Sequence, residues 1–340
     1  MNVKSRIRMA AAVGAAAFGL SLLTTPASAD PPPPPAPYRT LVGVGSDTTQ
    51  DVVNGLGDVI TSPTIASYNA TGPSPIKTRA VNCSIARPNG SSAGIDALRA
   101  DLSAPAGSTT KNCIDFARSS RGPANLTTTL LTWVPFAKDA VTVAVRSDSA
   151  LNSSTAPLNL DTAKLKLIYT CDPAWRSLNG VTLTPLLPQT GSGTRTFFLE
   201  KIGVTEAQVG SCVDGTVQEH NGLALDTAGD IAPYSIAQYI AQTSGVVTDR
   251  HGATVLLPVG GVQPRNGDGT LNVSFPYNRD VYNVVPTAKI DGGATADDAN
   301  LKDAFVGTGS DVCQQTDVIT AYGFGLLGGD CGATAIKGER

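Results

Sequence analysis

Histidine is nearly missing from this 340-residue chain. Only His220 and His251 occur, and there is no Cys-x-x-Cys, so the usual nitrogen and sulfur metal sites have no ligand spacing to build on. Long apolar runs are equally scarce. The one extended example, Met9 to Leu23, is short for a spanning helix. With Lys4, Arg6 and Arg8 before it and Ala27-Ser28-Ala29 after it, it has the layout of a secretory leader, residues 1–29, cut after Ala29. No cysteine stands near that cut, so a lipid anchor has no attachment residue. Excess positive charge is lacking too. Three of the 25 Lys and Arg lie in the leader and none of the 28 Asp and Glu precedes Asp30, which leaves 22 basic against 28 acidic side chains, a net charge of −6. Non-specific nucleic-acid binding is excluded on that balance, and an anion must be held by local donors instead of a broad positive field.

Among what is present, all six cysteines (Cys83, Cys113, Cys171, Cys212, Cys313, Cys331) fall in the exported part, where an even count favours disulfides. Proximity in sequence suggests Cys83–Cys113, Cys171–Cys212 and Cys313–Cys331, although six cysteines allow 15 pairings. Residues 30–37 form a proline-rich linker that can be neither helix nor central strand. From Thr40 onward, short apolar strands alternate with amphipathic helices, the pattern of an α/β fold. Leu41 to Val44 reads as a strand, followed by Val52, Val53, Leu56, Val59 and Ile60 at helical spacing. Ile95, Leu98 and Leu102 repeat that spacing. Cys113 to Ala117, the alternating Val141, Val143 and Val145, and Val181 to Leu187 read as further strands. Asp161 is placed to cap a helix carrying Leu165 and Ile168. Thr254 to Pro258 and Leu271 to Phe275 flank a turn containing Asn266-Gly267 that suits a hairpin.

Four short polar turns punctuate this pattern: Gly45-Ser46-Asp47-Thr48-Thr49, Gly90-Ser91-Ser92, Arg118-Ser119-Ser120-Arg121 and Gly191-Ser192-Gly193-Thr194-Arg195, each set ahead of a stretch expected to be helical. A helix N-terminus offers unpaired N–H groups and a partial positive charge, and a Ser or Thr there adds a hydroxyl donor, so together such turns suit a tetrahedral oxyanion. Singly, each is an ordinary cap.

Taken in order, these turns resemble the PstS-type phosphate-binding proteins of ABC importers, within the type II periplasmic binding protein family. The resemblance runs from about Leu41 onward and rests on five segments: Gly43-Val44-Gly45-Ser46-Asp47-Thr48, Gly90-Ser91-Ser92-Ala93-Gly94-Ile95, Ile114-Asp115-Phe116-Ala117-Arg118-Ser119-Ser120, Gly191-Ser192-Gly193-Thr194 and Gly229-Asp230-Ile231-Ala232-Pro233-Tyr234. It implies a monomer of two α/β lobes with the ligand in the cleft between them: lobe I from 38–134 and 246–340, lobe II from 135–245. The crossings are expected near Trp133 to Val141 and Ile231 to Gly245. It implies an oxyanion site drawn from Ser46, Asp47, Thr48, Thr49, Ser91, Ser92, Arg118, Ser119, Ser120, Gly191, Ser192, Gly193, Thr194 and Arg195, with no metal, no cofactor and no catalytic residue.

The chain departs from the family pattern in places. Pro188 and Thr190 stand where an Arg and an acidic residue are usual, which turns attention to Arg195 for the positive charge. Ser120 stands where phosphate binders place the carboxylate that accepts the ligand proton. Asp47 can take over that role, because an ionised carboxylate only accepts, or it can cap a helix. The function implied is a secreted or periplasmic protein that captures phosphate or a related oxyanion for an ABC permease. The alternatives are a secreted phosphatase-like hydrolase and a wall-associated protein that keeps the fold. Ser46 and Ser192 would be the nucleophiles of a hydrolase, yet neither sits in Gly-x-Ser-x-Gly and neither histidine lies in a known motif.

Overall fold

The alternating strands and helices assemble into one mixed nine-stranded sheet in the computed structural model, which describes residues 30–31, 36–155, 158, 160–292 and 295–340. The leader expected at 1–29, and Pro32 to Pro35 of the linker, lie outside the described residues. The strands are β1 (Leu41–Gly45), β2 (Ile65–Ser67), β3 (Phe116–Ser119), β4 (Leu131–Arg146), β5 (Thr184–Pro188), β6 (Asp214–Val217), β7 (Asp230–Ser235), β8 (Thr254–Leu256) and β9 (Asn278–Pro286). Their order is β6-β5-β7-β4-β9-β3-β1-β2, with β8 also paired to β4. β1, β2 and β3 run parallel, as do β5, β6 and β7, and the antiparallel strands β4 and β9 join the two groups.

Strands covered on both faces must be apolar nearly throughout, and β1 is buried at every residue. Its side chains alternate between two cores: Leu41 packs with Val52 and Leu56 of helix α1 (Gln50–Val59), while Val42 and Val44 pack with Ile95 and Leu98 of helix α2 (Ser91–Ser103). Of the apolar stripe expected on α1, Val59 alone points outward, 48% exposed. In the second half of the sheet, Val141, Val143 and Val145 pack with Leu165 and Ile168 of α3 (Thr162–Tyr169) and with Phe197 and Phe198 of α4 (Gly193–Lys201). Asp161 caps α3, accepting from the Lys164 amide at 2.9 Å.

The sixteen-residue β4 crosses between lobes. Residues 131–140 pair with β9, and residues 141–146 pair with β7 or β8. Ala137 belongs to one core and Ala140 to the other; on the way back Tyr277 and Val281 mark the same change. The resemblance puts the return near Ile231 to Gly245. Leu257, Val259, Leu271, Phe275 and Tyr277 all pack into the core of Val141 and Phe198. Helix α5 (Ile236–Thr243) straddles the junction, with Ile236 in that core and Ala237 in the opposite one. The packing favours a lobe boundary between Tyr277 and Val281, which we propose in place of residue 246. The expected hairpin across residues 254–275 also fails to form, because Thr254–Leu256 finds a longer apolar partner in β4. Its tip is made, with the Asn266 amide donating to Thr270 O at 2.9 Å, Arg265 bridged to Leu271 and the Asn272 amide donating to Pro264 O at 3.1 Å.

Three disulfides, Cys83–Cys113, Cys171–Cys212 and Cys313–Cys331, match the pairing expected from proximity, and such bonds belong to an oxidising compartment. Among the described residues, no helix is long and apolar enough to cross a membrane.

Candidate functional site

Parallel strands deliver their loops to one edge of the sheet, and here two of those loops lead into helix N-termini that meet a third across the two lobes. The loop after β1 enters α1, that after β5 enters α4, and α2 begins beside both. The approach is close enough to dictate residue type. A Cβ on Gly90, whose φ is 99°, would lie 2.7 Å from Gly191 O, and one on Gly193 would overlap the hydroxyls of Ser91 and Ser120. Only glycine permits this contact. The Ser92 amide donates across it to Gly191 O at 3.2 Å.

At the centre stands Thr48, fully buried. Its hydroxyl donates to Glu219 Oε2 at 3.1 Å and lies 2.9 Å from His220 Nε2, 3.2 Å from Thr194 Oγ1 and 3.4 Å from Arg279 Nη2. His220 Nδ1 accepts from the Ser235 amide at 3.3 Å, which assigns the proton of a neutral ring to Nε2. Arg279 donates from Nη2 to Thr194 Oγ1 at 3.0 Å, and from Nε and Nη2 to Asp139 Oδ2 at 3.0 and 2.8 Å. Its guanidinium also lies over the Phe197 ring, 5.2 Å from the centroid. Asp139 Oδ1 in turn accepts from Ser235 Oγ and the Ala237 amide at 2.9 and 3.1 Å. Gln218 Nε2 crosses the seam to Asp47 Oδ2 at 2.7 Å, and Gln238 Nε2 donates to Thr48 O at 2.8 Å.

Five buried polar atoms here make no hydrogen bond within the chain: Ser46 Oγ, Asp47 Oδ1, Thr49 Oγ1, Glu219 Oε1 and Arg279 Nη1. Buried polar groups are normally paired, so five such atoms on residues around one seam mark a place built to face something else. Charge there is finely set. Burial raises the Asp47 carboxyl above its ordinary range, against the pull of Arg250, 3.9 Å away, and of His220. Burial also works to raise Glu219, but His220, the nearby Ser192 hydroxyl and Arg279 together hold it below the usual range. Asp51, behind Asp47, is pushed up to about 6, first by burial and then by the Asp47 charge.

The structure brings Ser46, Asp47, Thr48, Thr49, Ser91, Ser92, Ser120, Gly191, Ser192, Gly193 and Thr194 to this seam, but it employs them unequally. Asp47 is not the cap of α1; that position is Thr49, which makes no side-chain capping bond. Ser192 does cap α4, through the Arg195 amide at 2.9 Å. Ser91 Oγ accepts from the Ser120 amide at 3.1 Å, and Ser92 Oγ accepts from Arg121 Nη2 at 3.2 Å. Gly90-Ser91-Ser92-Ala93-Gly94 does fit Gly-x-Ser-x-Gly, yet Ser92 meets this guanidinium and both histidines are engaged elsewhere.

Three expected ligand residues are drawn away. Arg118 spends its donors on Ser46 O, Gly43 O, Ser67 Oγ, Gly45 O and Tyr68 O, bracing the end of β1 from behind. Ser119 Oγ donates to Arg121 O. Arg195 pairs with Glu206 and with Pro188 O, and the guanidinium that reaches Thr48 and Thr194 is that of Arg279. The Arg118 to Arg121 turn does not precede a helix; irregular chain leads from it to β4. Sequence reading missed Asp139, Gln218, Glu219, His220 and Arg279. The signal was there in part: Lys138-Asp139 interrupts the apolar run Val134 to Val145, and a charge within a central strand calls for a buried partner.

A model of the PBP superfamily domain matches residues 31–316. The chain belongs to this superfamily. Among solved structures, the PBP superfamily protein described here is similar to a candidate phosphate ABC transporter substrate-binding protein with bound phosphate from Clostridium perfringens, at 14% identity and TM-score 0.55, covering 84% of this chain and 99% of that one. It is also similar to an ABC-type phosphate transport receptor from Vibrio cholerae, at 16% identity and TM-score 0.53, over 84% and 99% of the two chains. At such identities the likeness shows the fold, a type II periplasmic binding protein architecture. None of the curated proteins matches the chain.

Proposed function

We propose that this PBP superfamily protein is an exported binding protein that captures phosphate or a related oxyanion between its lobes and hands it to an ABC permease. The observation that carries the reading is the group of buried, unpartnered atoms around the seam where the N-termini of α1, α2 and α4 meet. Ser46, Thr49 and Arg279 offer donors from that group, and the helix ends add backbone N–H groups and positive potential. Lobe closure takes the anion out of water, so affinity depends on each ligand oxygen meeting a donor and each ligand proton meeting an acceptor. Asp47 is the acceptor on the lobe I side. The disulfides and the leader-like N-terminus support export. Calorimetric titration of the purified chain with phosphate, arsenate and sulfate tests the proposal. Saturable binding of phosphate is expected, and no heat with any of the three overturns it.

A further inference from the structure

Asp47 is one of two carboxylates with an idle oxygen at the seam. Glu219 is the other, and it comes from the opposite lobe, just after β6. Glu219 is fully buried; Oε2 is engaged by Thr48, with His220 Nε2 3.2 Å away, while Oε1 makes no hydrogen bond within the chain, the Ser192 hydroxyl being its side chain's other polar neighbour. An ionised carboxylate can only accept. A bare ligand oxygen facing Oε1 would therefore set two lone pairs and two negative charges against each other out of water, whereas a ligand O–H would satisfy it.

Resting on the oxyanion reading above, we propose that Glu219 is a specificity-determining residue that accepts a second ligand proton, so that the site takes a monoanionic tetrahedral oxoacid with two O–H groups, of which dihydrogen phosphate is the simplest. One proton faces Asp47 Oδ1, and the other faces Glu219 Oε1. The surroundings agree. Arg279 is already balanced by Asp139, Arg118 is spent on four main-chain carbonyls and the Ser67 hydroxyl, and Arg250 Nη2 lies 3.9 Å from Asp47 Oδ1, while Arg121 donates to Ser92 Oγ and Gly122 O. Asp51 adds a further carboxyl behind Asp47, and His220 donates to the pair formed by Thr48 and Glu219.

The test is a competition series in mildly acidic buffer, where phosphate and methylphosphonate are both monoanions but carry two O–H groups and one. The intact protein is expected to bind phosphate roughly 10-fold or more tightly than methylphosphonate, the weight of one hydrogen bond to a charged acceptor. Glu219→Gln, whose amide can turn a donor toward a bare oxygen, is expected to narrow that gap while keeping the native melting profile. Equal affinity for the two anions in the intact protein overturns the second-proton assignment and leaves oxyanion binding standing, and this reading needs no variant to fold. An undiminished gap in a folded Glu219→Gln protein also overturns it, placing the discrimination elsewhere. Binding of none of phosphate, arsenate or methylphosphonate removes the oxyanion reading itself, and the assignment with it.

Discussion

Arg279 and Asp139 face each other as register partners on the two strands that join the lobes, and the guanidinium meets one carboxylate oxygen through both Nε and Nη2. The pair stands where the cores change over, between Ala137 and Ala140 on β4 and between Tyr277 and Val281 on β9. From this position Arg279 reaches Thr194 of one lobe and Thr48 of the other, while Asp139 holds the start of α5 through Ser235 and Ala237. One buried ion pair thus connects the crossing strands to loops of both lobes.

Breaking that pair from one side leaves a charge stranded out of water, which typically costs about 3–5 kcal/mol. Arg279→Met is therefore expected to lower the unfolding free energy by an amount in that range. The double variant Arg279→Met with Asp139→Asn should regain part of the loss, because the Asn oxygen can still accept from Ser235 and Ala237. Denaturant unfolding of the three proteins checks this, and a double variant no more stable than Arg279→Met refutes the stranded-charge account.

The sequence made much of this architecture legible, because strands and helices announce themselves by period. Leu41 to Val44 and the Val141, Val143, Val145 alternation led to real strands, and the Gly-Ser-Gly-Thr turn led to the seam. Roles that depend on contacts distant in sequence were not legible. Arg118 looks like a ligand residue beside a strand end, yet the ends of β1 and of its neighbour β2 leave five chain acceptors within its reach. Glu219, His220 and Arg279 carry no local motif; they matter because β6 and β9 bring them within hydrogen-bond reach of Thr48, more than 170 residues away in the case of Glu219.

Ser46 and Thr49 have hydroxyls that are buried and free of intrachain bonds, so removing either should weaken phosphate binding with little effect on the fold. A hydrogen bond to a charged ligand is worth about 1.5–3 kcal/mol, or roughly 10- to 150-fold in affinity. Calorimetry and thermal melting of Ser46→Ala and Thr49→Ala separate the two effects. Loss of stability with unchanged affinity would give these hydroxyls a purely structural role.

Asp47 accepts from Gln218 through Oδ2 and leaves Oδ1 without a hydrogen bond, 3.9 Å from Arg250 Nη2. If that oxygen receives a ligand proton, sulfate, which has none at neutral pH, is penalised relative to phosphate. Asp47→Asn should narrow the difference, since an amide can present a donor to a bare oxygen. Competition between the two anions on both proteins measures it, and an unaltered ratio would relieve Asp47 of any part in selection.

Asp51 supplies a prediction in pH. Its carboxyl is held up at about 6, against an ordinary 3.8, by burial and then by Asp47. A carboxyl that binds its proton more tightly in the folded chain favours folding at low pH, and this contribution fades as pH rises from the unfolded value to about 6. Above that window the folded protein carries the full cost of a buried charge, of order 3 kcal/mol. Asp51→Asn removes the charge and keeps an oxygen for Gln238 Nε2, which lies 3.3 Å from Asp51 Oδ2. The variant should therefore gain on the parent protein across the window and hold a constant advantage above it. Denaturant unfolding of both proteins at a series of pH values from about 4 to 8 gives the curve. A difference that does not change with pH would mean that Asp51 ionises in the folded protein as it does in the unfolded chain.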